Sequence, residues 1–451
     1  MSEHESSGQE SGEQPRFDPT AAHHLRPKVR PLRAFPAQVQ GKQMMGLTDA
    51  RQISDKVVLT SPAFQSVLPM LTGEKSVPEI VEEVGHGLEV QTLEAFVAQL
   101  DDAGLLDGPV FERLWSKLRE EFDASEILPP GPTAAMADQL VVAALGDKAT
   151  DQDKAEQGPR RLAEALDAWI DEALKDAEDP SFNELPRAIV APHIDYPRGW
   201  MNYAAVWGRM RVVDRPARVV VLGTNHFGFS TGVCGCDKGF ESPLGVCNAD
   251  QDLIRRLRES LGDALFEHRF DHEREHSIEL QIPWIQHCLG ADENGDFCPI
   301  FAALVHDPSV NNGESYDGKG VSIQAFVEAL GPAIEAMPGR TLIVCSADLS
   351  HAGPAFGDQQ TLIGDAAEVE AFRNRVVSHD KEMLELVRRG KPMELVASMA
   401  WQQNPTRWCS TGSLVATLML VKPEAVKMLC YAAAIDPQGL SMVSSSAMTM
   451  P

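Results

Sequence analysis

Three short apolar runs each end on a polar, chemistry-bearing residue, and this recurrence restricts the fold more than any other feature of the chain. Ile189-Val190-Ala191-Pro192 runs into His193. Val219-Val220-Val221-Leu222-Gly223-Thr224-Asn225 runs into His226, and Leu342-Ile343-Val344-Cys345-Ser346-Ala347 runs into Asp348, with His351 close behind. Apolar runs rich in Val and Ile, without polar alternation, suit strands buried on both faces. From Pro186 onward such runs lie near 187–192, 218–222, 298–305 and 341–346. They alternate with helical patterns over 250–260, 277–288, 321–337, 365–374 and 379–389, and a helix over 411–421 leads to a strand near 427–434. This alternation predicts an α/β fold, with a mainly parallel central sheet and helices on both faces. The C-terminal ends of such strands share one edge, where ligands bind. His193, His226, Asp348 and His351 are therefore expected at one polar site.

At 451 residues the chain exceeds what one core supports. It is expected to divide into a disordered tail (1–25), a small helical domain (26–120), a linker with a helix (121–180) and the α/β domain (181–451). The helical domain rests on a Pro-containing helix start at Ser76-Val77-Pro78-Glu79 and on Leu93, Phe96, Val97 and Leu100 at helical spacing, stopped by Gly104. Three short helices and a wing resemble a winged helix or the PqqD-like peptide-binding fold. Its helices are acidic, and only Arg51, Lys56 and Lys75 are basic between 51 and 110. The whole chain has a formal charge of −26. Nucleic-acid binding is therefore not expected, since it needs phosphate contacts from Lys and Arg. A protein or peptide partner for this domain is expected instead. His23, His24, Arg26, Lys28, Arg30, Arg33 and Lys42 form a local basic arm, read as a solvated linker. The polar start, Met1 to Gln14, has no apolar stretch of a signal peptide, and no run reaches a membrane span. A cytoplasmic protein without membrane contact is the expectation.

Eight cysteines lie in the second half and are read as reduced thiols. Cys288, Cys298, Cys345 and Cys430 sit in apolar surroundings and read as core. Cys409 differs, because it stands just before the apolar run Leu414–Val421. A helix N-terminus favours the thiolate, and a thiolate is a soft ligand for iron, copper or zinc. A buried core cysteine is an equal alternative on sequence alone. Glu275-His276-Ser277-Ile278-Glu279 is the densest polar cluster. It reads either as a dipole-favoured helix start or as pocket lining by His276 and Glu279.

Five motifs occur in the order seen in the Memo family, known in bacteria and archaea as AmmeMemoRadiSam system protein B. They are Ala191-Pro192-His193, Leu222-Gly223-Thr224-Asn225-His226, Glu275-His276-Ser277-Ile278-Glu279, Ser346-Ala347-Asp348-Leu349-Ser350-His351 and Cys409-Ser410-Thr411-Gly412. The resemblance spans about residues 186–435. It implies the fold of class III extradiol dioxygenases, with His193, His226 and Cys409 as metal ligands and iron(II) as the metal, copper or zinc being the alternatives. Asp348 and His351 are then the acid/base pair, with Asp348 fixing the His351 tautomer. Asn225, His276 and Glu279 line the substrate side. The implied activity is redox or dioxygenase-type, on a small molecule or a modified residue. The alternatives are a non-catalytic peptide- or phosphopeptide-binding cleft, or copper handling. The chain departs from the family pattern at Ser410, where glycine is usual, and in lacking the usual aromatic segment before the first helix.

Overall fold

The computed structural model describes residues 15–39, 41–85 and 87–451, and it divides into two compact units between Ala124 and Ser125. Most of the expected disordered tail, residues 1–14, lies outside the described residues. Residues 22–25 form a short helix that buries His24.

The first unit begins with a three-stranded antiparallel sheet, Leu32–Val39, Lys42–Asp49 and Val58–Thr60. Helices Val77–Val84, Val90–Asp102 and Pro109–Ala124 follow. Ser76 and Glu79 form a reciprocal capping box that opens the first of these, with the Ser76 backbone N–H donating to Glu79 at 2.7 Å. Leu47, Leu71, Ile80, Leu93, Phe96, Val97 and Leu100 make the core. The basic arm is not a solvated linker. Arg30 is buried and donates to buried Asp49 at 2.8 Å, and Lys28 donates to Asp107 at 2.9 Å. Local carboxylates neutralise these cations and draw the segment into the fold.

In the second unit, the stretch 121–180, expected as a linker with one helix, holds two helices. Helices α1 (Pro132–Leu145) and α2 (Asp151–Leu174) occupy it, α2 opening on a Thr150–Asp153 capping box. The strands of its eight-stranded main sheet are β1 (Ala188–Ala191), β2 (Arg218–Thr224), β3 (Cys234–Cys236), β4 (Ile300–Val305), β5 (Thr341–Ser346), β6 (Asp348–Ala352), β7 (Lys427–Ile435) and β8 (Met442–Met450). They run in the order β6-β8-β1-β5-β2-β4-β3, with β7 on the other side of β8. Only the centre is parallel, through the pairs β1–β5, β5–β2 and β2–β4. The pairs β4–β3, β8–β1, β8–β6 and β8–β7 are antiparallel, so the sheet is mixed rather than mainly parallel. The apolar-run signal found the central strands, whose two faces are buried. Of the antiparallel strands, β3, β6 and β8 carry Gly or Ser and gave no such run, whereas β7 was expected near 427–434.

Helices α3 (Tyr196–Trp207), α4 (Gln251–Leu261), α5 (His276–Glu279), α6 (Ile282–Leu289), α7 (Ile323–Glu335), α8 (Ala367–Arg388), α9 (Pro392–Gln402) and α10 (Thr411–Val421) cover the sheet. Helix α8 is continuous where the sequence pattern suggested two segments. Alternate residues Val220, Leu222, Phe301, Ala303, Ile343 and Cys345 join one core with α4, α7 and α10. Helix α10 packs so closely on the end of β4 that a Cβ on Gly412 would lie 2.1 Å from the His306 carbonyl oxygen.

One irregularity positions the site. Strand β8 pairs with β1 through Met448–Met450 and with β6 through Met442–Ser445. Thus β6 takes over the neighbour that β1 leaves, and the register shifts between Asp348 and His351. Beyond Ala191 the chain turns off the sheet, and the His193 backbone N–H donates to Asp348 Oδ1 at 2.9 Å.

Candidate metal centre

His193, His226 and Cys409 come together, and one ligand atom from each lies within 4.8 Å of the others. His193 follows β1, His226 follows β2, and Cys409 precedes α10. Cys409 Sγ is 3.3 Å from His193 Nε2. The rings of His193 and His226 meet edge to face with centroids 5.1 Å apart.

The neighbours decide which nitrogen of each ring faces inward. Ser346 Oγ donates to the Ser277 carbonyl at 2.5 Å, so its only proton is committed. It accepts from Gln281 Nε2 at 2.9 Å and lies 3.4 Å from His193 Nδ1. His193 must therefore carry its proton on Nδ1, and the Nε2 lone pair faces the thiol. Burial, then the neighbouring imidazoles, pushes the His193 pKa well below its ordinary value, so the ring is neutral.

Glu275 performs the same service for His226. Its Oε1 is 3.0 Å from His226 Nδ1, and its Oε2 accepts from the His226 backbone N–H at 2.8 Å. Burial opposes ionisation of Glu275, but His226, His276 and these hydrogen bonds outweigh it and bring the carboxyl to about 2. Burial likewise opposes charge on His226, yet Glu275 and the Cys409 thiol hold its pKa well above the ordinary value. Nδ1 keeps its proton for Glu275, and Nε2 is the nitrogen that could exchange a proton for a metal. The donor set is two imidazoles and a thiol, each with an inward-facing atom, which suits iron, copper or zinc.

The other expected residues divide. His276 stacks on His226 with centroids 4.7 Å apart, and its Nδ1 is 3.3 Å from the same Glu275 oxygen. Asp348 is buried, with Oδ2 3.8 Å from His193 Nε2. Burial raises its pKa to about 7. His351 does not pair with Asp348. Its Nδ1 lies 3.0 Å from the Leu349 carbonyl, to which it donates, so the backbone rather than Asp348 sets its tautomer. Asp348 Oδ1 is occupied by the His193 backbone instead. Burial lowers His351 to about 4. Glu279, expected in the pocket, is turned to α1. Its Oε1 accepts from Gly131 N, Thr133 N and Thr133 Oγ1 at 2.9, 2.9 and 2.6 Å, so it caps a helix. Asn225 has both amide ends engaged, donating to Asp271 Oδ2 at 2.8 Å and accepting from Gly228 N at 2.7 Å.

The sequence pattern marks Glu275 and Ser277 only as part of a helix start and gives Ser346 and Gln281 no role; all four belong to the hydrogen-bond network around the histidines. Their partners are remote in sequence, and no spacing rule marks them. Gly223 offers one trace, since a Cβ there would lie 2.5 Å from Ser277 Oγ.

Two comparisons with known proteins bear on the family of this chain. The family described as Memo-like protein matches residues 156–449. A MEMO1 family protein of Thermus thermophilus is 24% identical over 380 residues, covering 83% of this chain and 99% of its own length. That alignment is longer than the family match and reaches into the residues before 156. A MEMO1 family protein of Methanopyrus kandleri is 26% identical over 289 residues, 62% of this chain and 89% of its own. One from Thermotoga petrophila is 31% identical over 203 residues, 44% of this chain and 65% of its own.

Proposed function

This chain belongs to the Memo family, and on that premise we propose that its sheet edge binds one transition-metal ion and carries out redox chemistry of the dioxygenase type. The ligands are His193, His226 and Cys409, and the ion is iron(II), with copper and zinc the competitors. The observation that supports this reading is the convergence of two correctly oriented imidazole nitrogens and a thiol within 4.8 Å. An iron ion held there would supply one-electron chemistry and Lewis acidity, with three protein donors leaving coordination positions for exogenous ligands.

The protein's own groups move protons and orient the substrate. His351 is neutral near pH 7, and with Nδ1 committed to Leu349 its Nε2 is the proton acceptor. His276 presents its Nε2 in the same way, since Nδ1 faces Glu275. Asp348 titrates near neutrality and lies against His193, so it can hold or release a proton beside the ligand set. The substrate class is a small molecule or a modified residue able to approach these imidazoles.

The test is anaerobic purification, reconstitution with iron(II), and oxygen uptake with a panel of dihydroxybenzenes and thiols as probes. His193→Ala should lose the ion, whereas His351→Ala should keep it and lose turnover. Bound iron with no oxygen uptake from any probe would leave metal binding standing and remove the redox assignment.

A further inference from the structure

We propose that Asp380, far along α8 from any ligand in sequence, is the positioning residue that holds Cys409 in place, an inference that rests on reading the sheet edge as a metal centre. Asp380 is fully buried, and among the described residues no Lys or Arg is paired with it. Its carboxylate is saturated by hydrogen bonds instead. Oδ1 accepts from Ser350 Oγ at 2.5 Å and from Trp408 Nε1 at 2.7 Å. Oδ2 accepts from Ser444 Oγ at 2.6 Å and from Tyr431 OH at 2.7 Å. A buried carboxylate is costly unless so compensated, and its retention calls for an account.

The four donors have informative positions. Trp408 adjoins Cys409. Ser350 lies on β6 between Asp348 and His351, Ser444 on β8 and Tyr431 on β7. One carboxylate thus ties the strand carrying Asp348 and His351 to the loop carrying the thiol. That loop is under backbone strain. Gln403 and Arg407 have φ of 59° and 56°, the left-handed region that residues other than glycine and asparagine rarely adopt, and Asn404 between them has φ of 45°. Such a conformation persists only where its surroundings over-determine it. They do so here. Asn404 accepts from Trp408 N at 2.8 Å and donates to Trp408 O at 2.9 Å. His351 N donates to Thr406 O at 2.7 Å, and Arg407 Nε donates to His351 O at 2.8 Å. Asp380 holds the indole from the inside. Without it the loop can relax toward ordinary dihedrals, and Cys409 moves with Trp408.

The experiment compares full-length wild type, Asp380→Asn and Trp408→Phe. Asparagine keeps the volume of Asp380 but turns an amide donor toward groups that are themselves donors. Trp408→Phe removes one of the four. Cobalt(II) serves as the probe metal, read through the near-ultraviolet thiolate charge-transfer band. Metal-free protein is read separately, by the rate at which Cys409 alone is alkylated with iodoacetamide, resolved at the peptide level. For Asp380→Asn the cobalt dissociation constant should rise by about tenfold and the band should shift, as for loss of an outer-shell partner. The Cys409 alkylation rate should change by about threefold, because thiol reactivity follows its surroundings. Trp408→Phe should move both in the same direction by less. A folded Asp380→Asn with unaltered band, affinity and alkylation would overturn the proposal. If that variant does not fold, an unaltered Trp408→Phe overturns it. If wild type gives no thiolate band, the metal reading fails, while the alkylation rates still decide whether Asp380 places Cys409.

Discussion

Of the three groups of close metal-ligating side chains among the described residues, two that share no residue look alike by proximity and differ in proton placement. His193, His226 and Cys409 form one; His23, His24 and Asp101, in the first unit, form the other, with ligand atoms equally within 4.8 Å. Proton placement separates them. In the second cluster the Asp18 backbone N–H donates to His24 Nδ1 at 2.8 Å, so that nitrogen holds a lone pair and Nε2 holds the proton. That proton is donated to Asp101 Oδ2 at 3.1 Å, and His23 Nε2 lies 3.3 Å from the same oxygen. A metal would have to displace a proton that the ring cannot put elsewhere without breaking the Asp18 bond. At the sheet edge, Ser346 and Glu275 take the Nδ1 side, and both Nε2 atoms are left for the proposed ion. Outer partners, not proximity, make a ligand set.

The largest expected effect breaks the comparison outright. Cys409→Ala should reduce iron from near one per chain to near none by elemental analysis, while His24→Ala leaves it unchanged. Metal lost from His24→Ala to the same degree would refute the argument from proton placement. Next is Glu275→Gln. The amide can no longer accept from the His226 backbone and ring together, so affinity should fall by about 10–100-fold in a chelator competition.

A pH series sharpens the contrast further. His226 has a raised pKa in the metal-free protein and must give up its Nε2 proton to bind, as Cys409 must give up its own. Protons therefore compete with the metal, and affinity should climb as pH rises from about 6 to about 8, by at most about 100-fold per unit for two protons released. An affinity flat across this range would mean that the thiol and His226 are not the ligands. The smallest effect belongs to the other cluster. Asp101→Asn removes a partly buried acceptor of the His24 proton and should cost about 1 kcal/mol in urea denaturation, with no change in metal content. A metal-dependent change in its stability would show that this cluster binds after all.

The legible part of the site was its roster of strand-end residues. His193, His226 and Asp348 stand where apolar runs stop, and Cys409 stands before one. Glu279 was misleading because its motif neighbour His276 does lie against the histidines, while Glu279, three residues on, is drawn away by the bare N–H groups at the start of α1. That helix lay in a Pro- and Ala-rich stretch read as a linker. The pairing of Asp348 with His351 was equally plausible from spacing. The bulge in β6 decided otherwise, by pointing His351 Nδ1 at its own backbone and Asp348 at His193.

The sequence by itself determined the period of each segment, hence the central strands, most helices and the residue types delivered to the sheet edge. Apolar periodicity is a local property, written within a few residues, and it survives being read without a structure. The tertiary structure decided the antiparallel edges, the orientation of each imidazole and the burial of Asp380. These depend on hydrogen bonds between residues such as Ser346 and His193, 153 apart, or Glu275 and His226, 49 apart. Which donor meets which acceptor at such separations follows from the path of the whole chain, and a proton sits on one nitrogen or the other only after that path is complete.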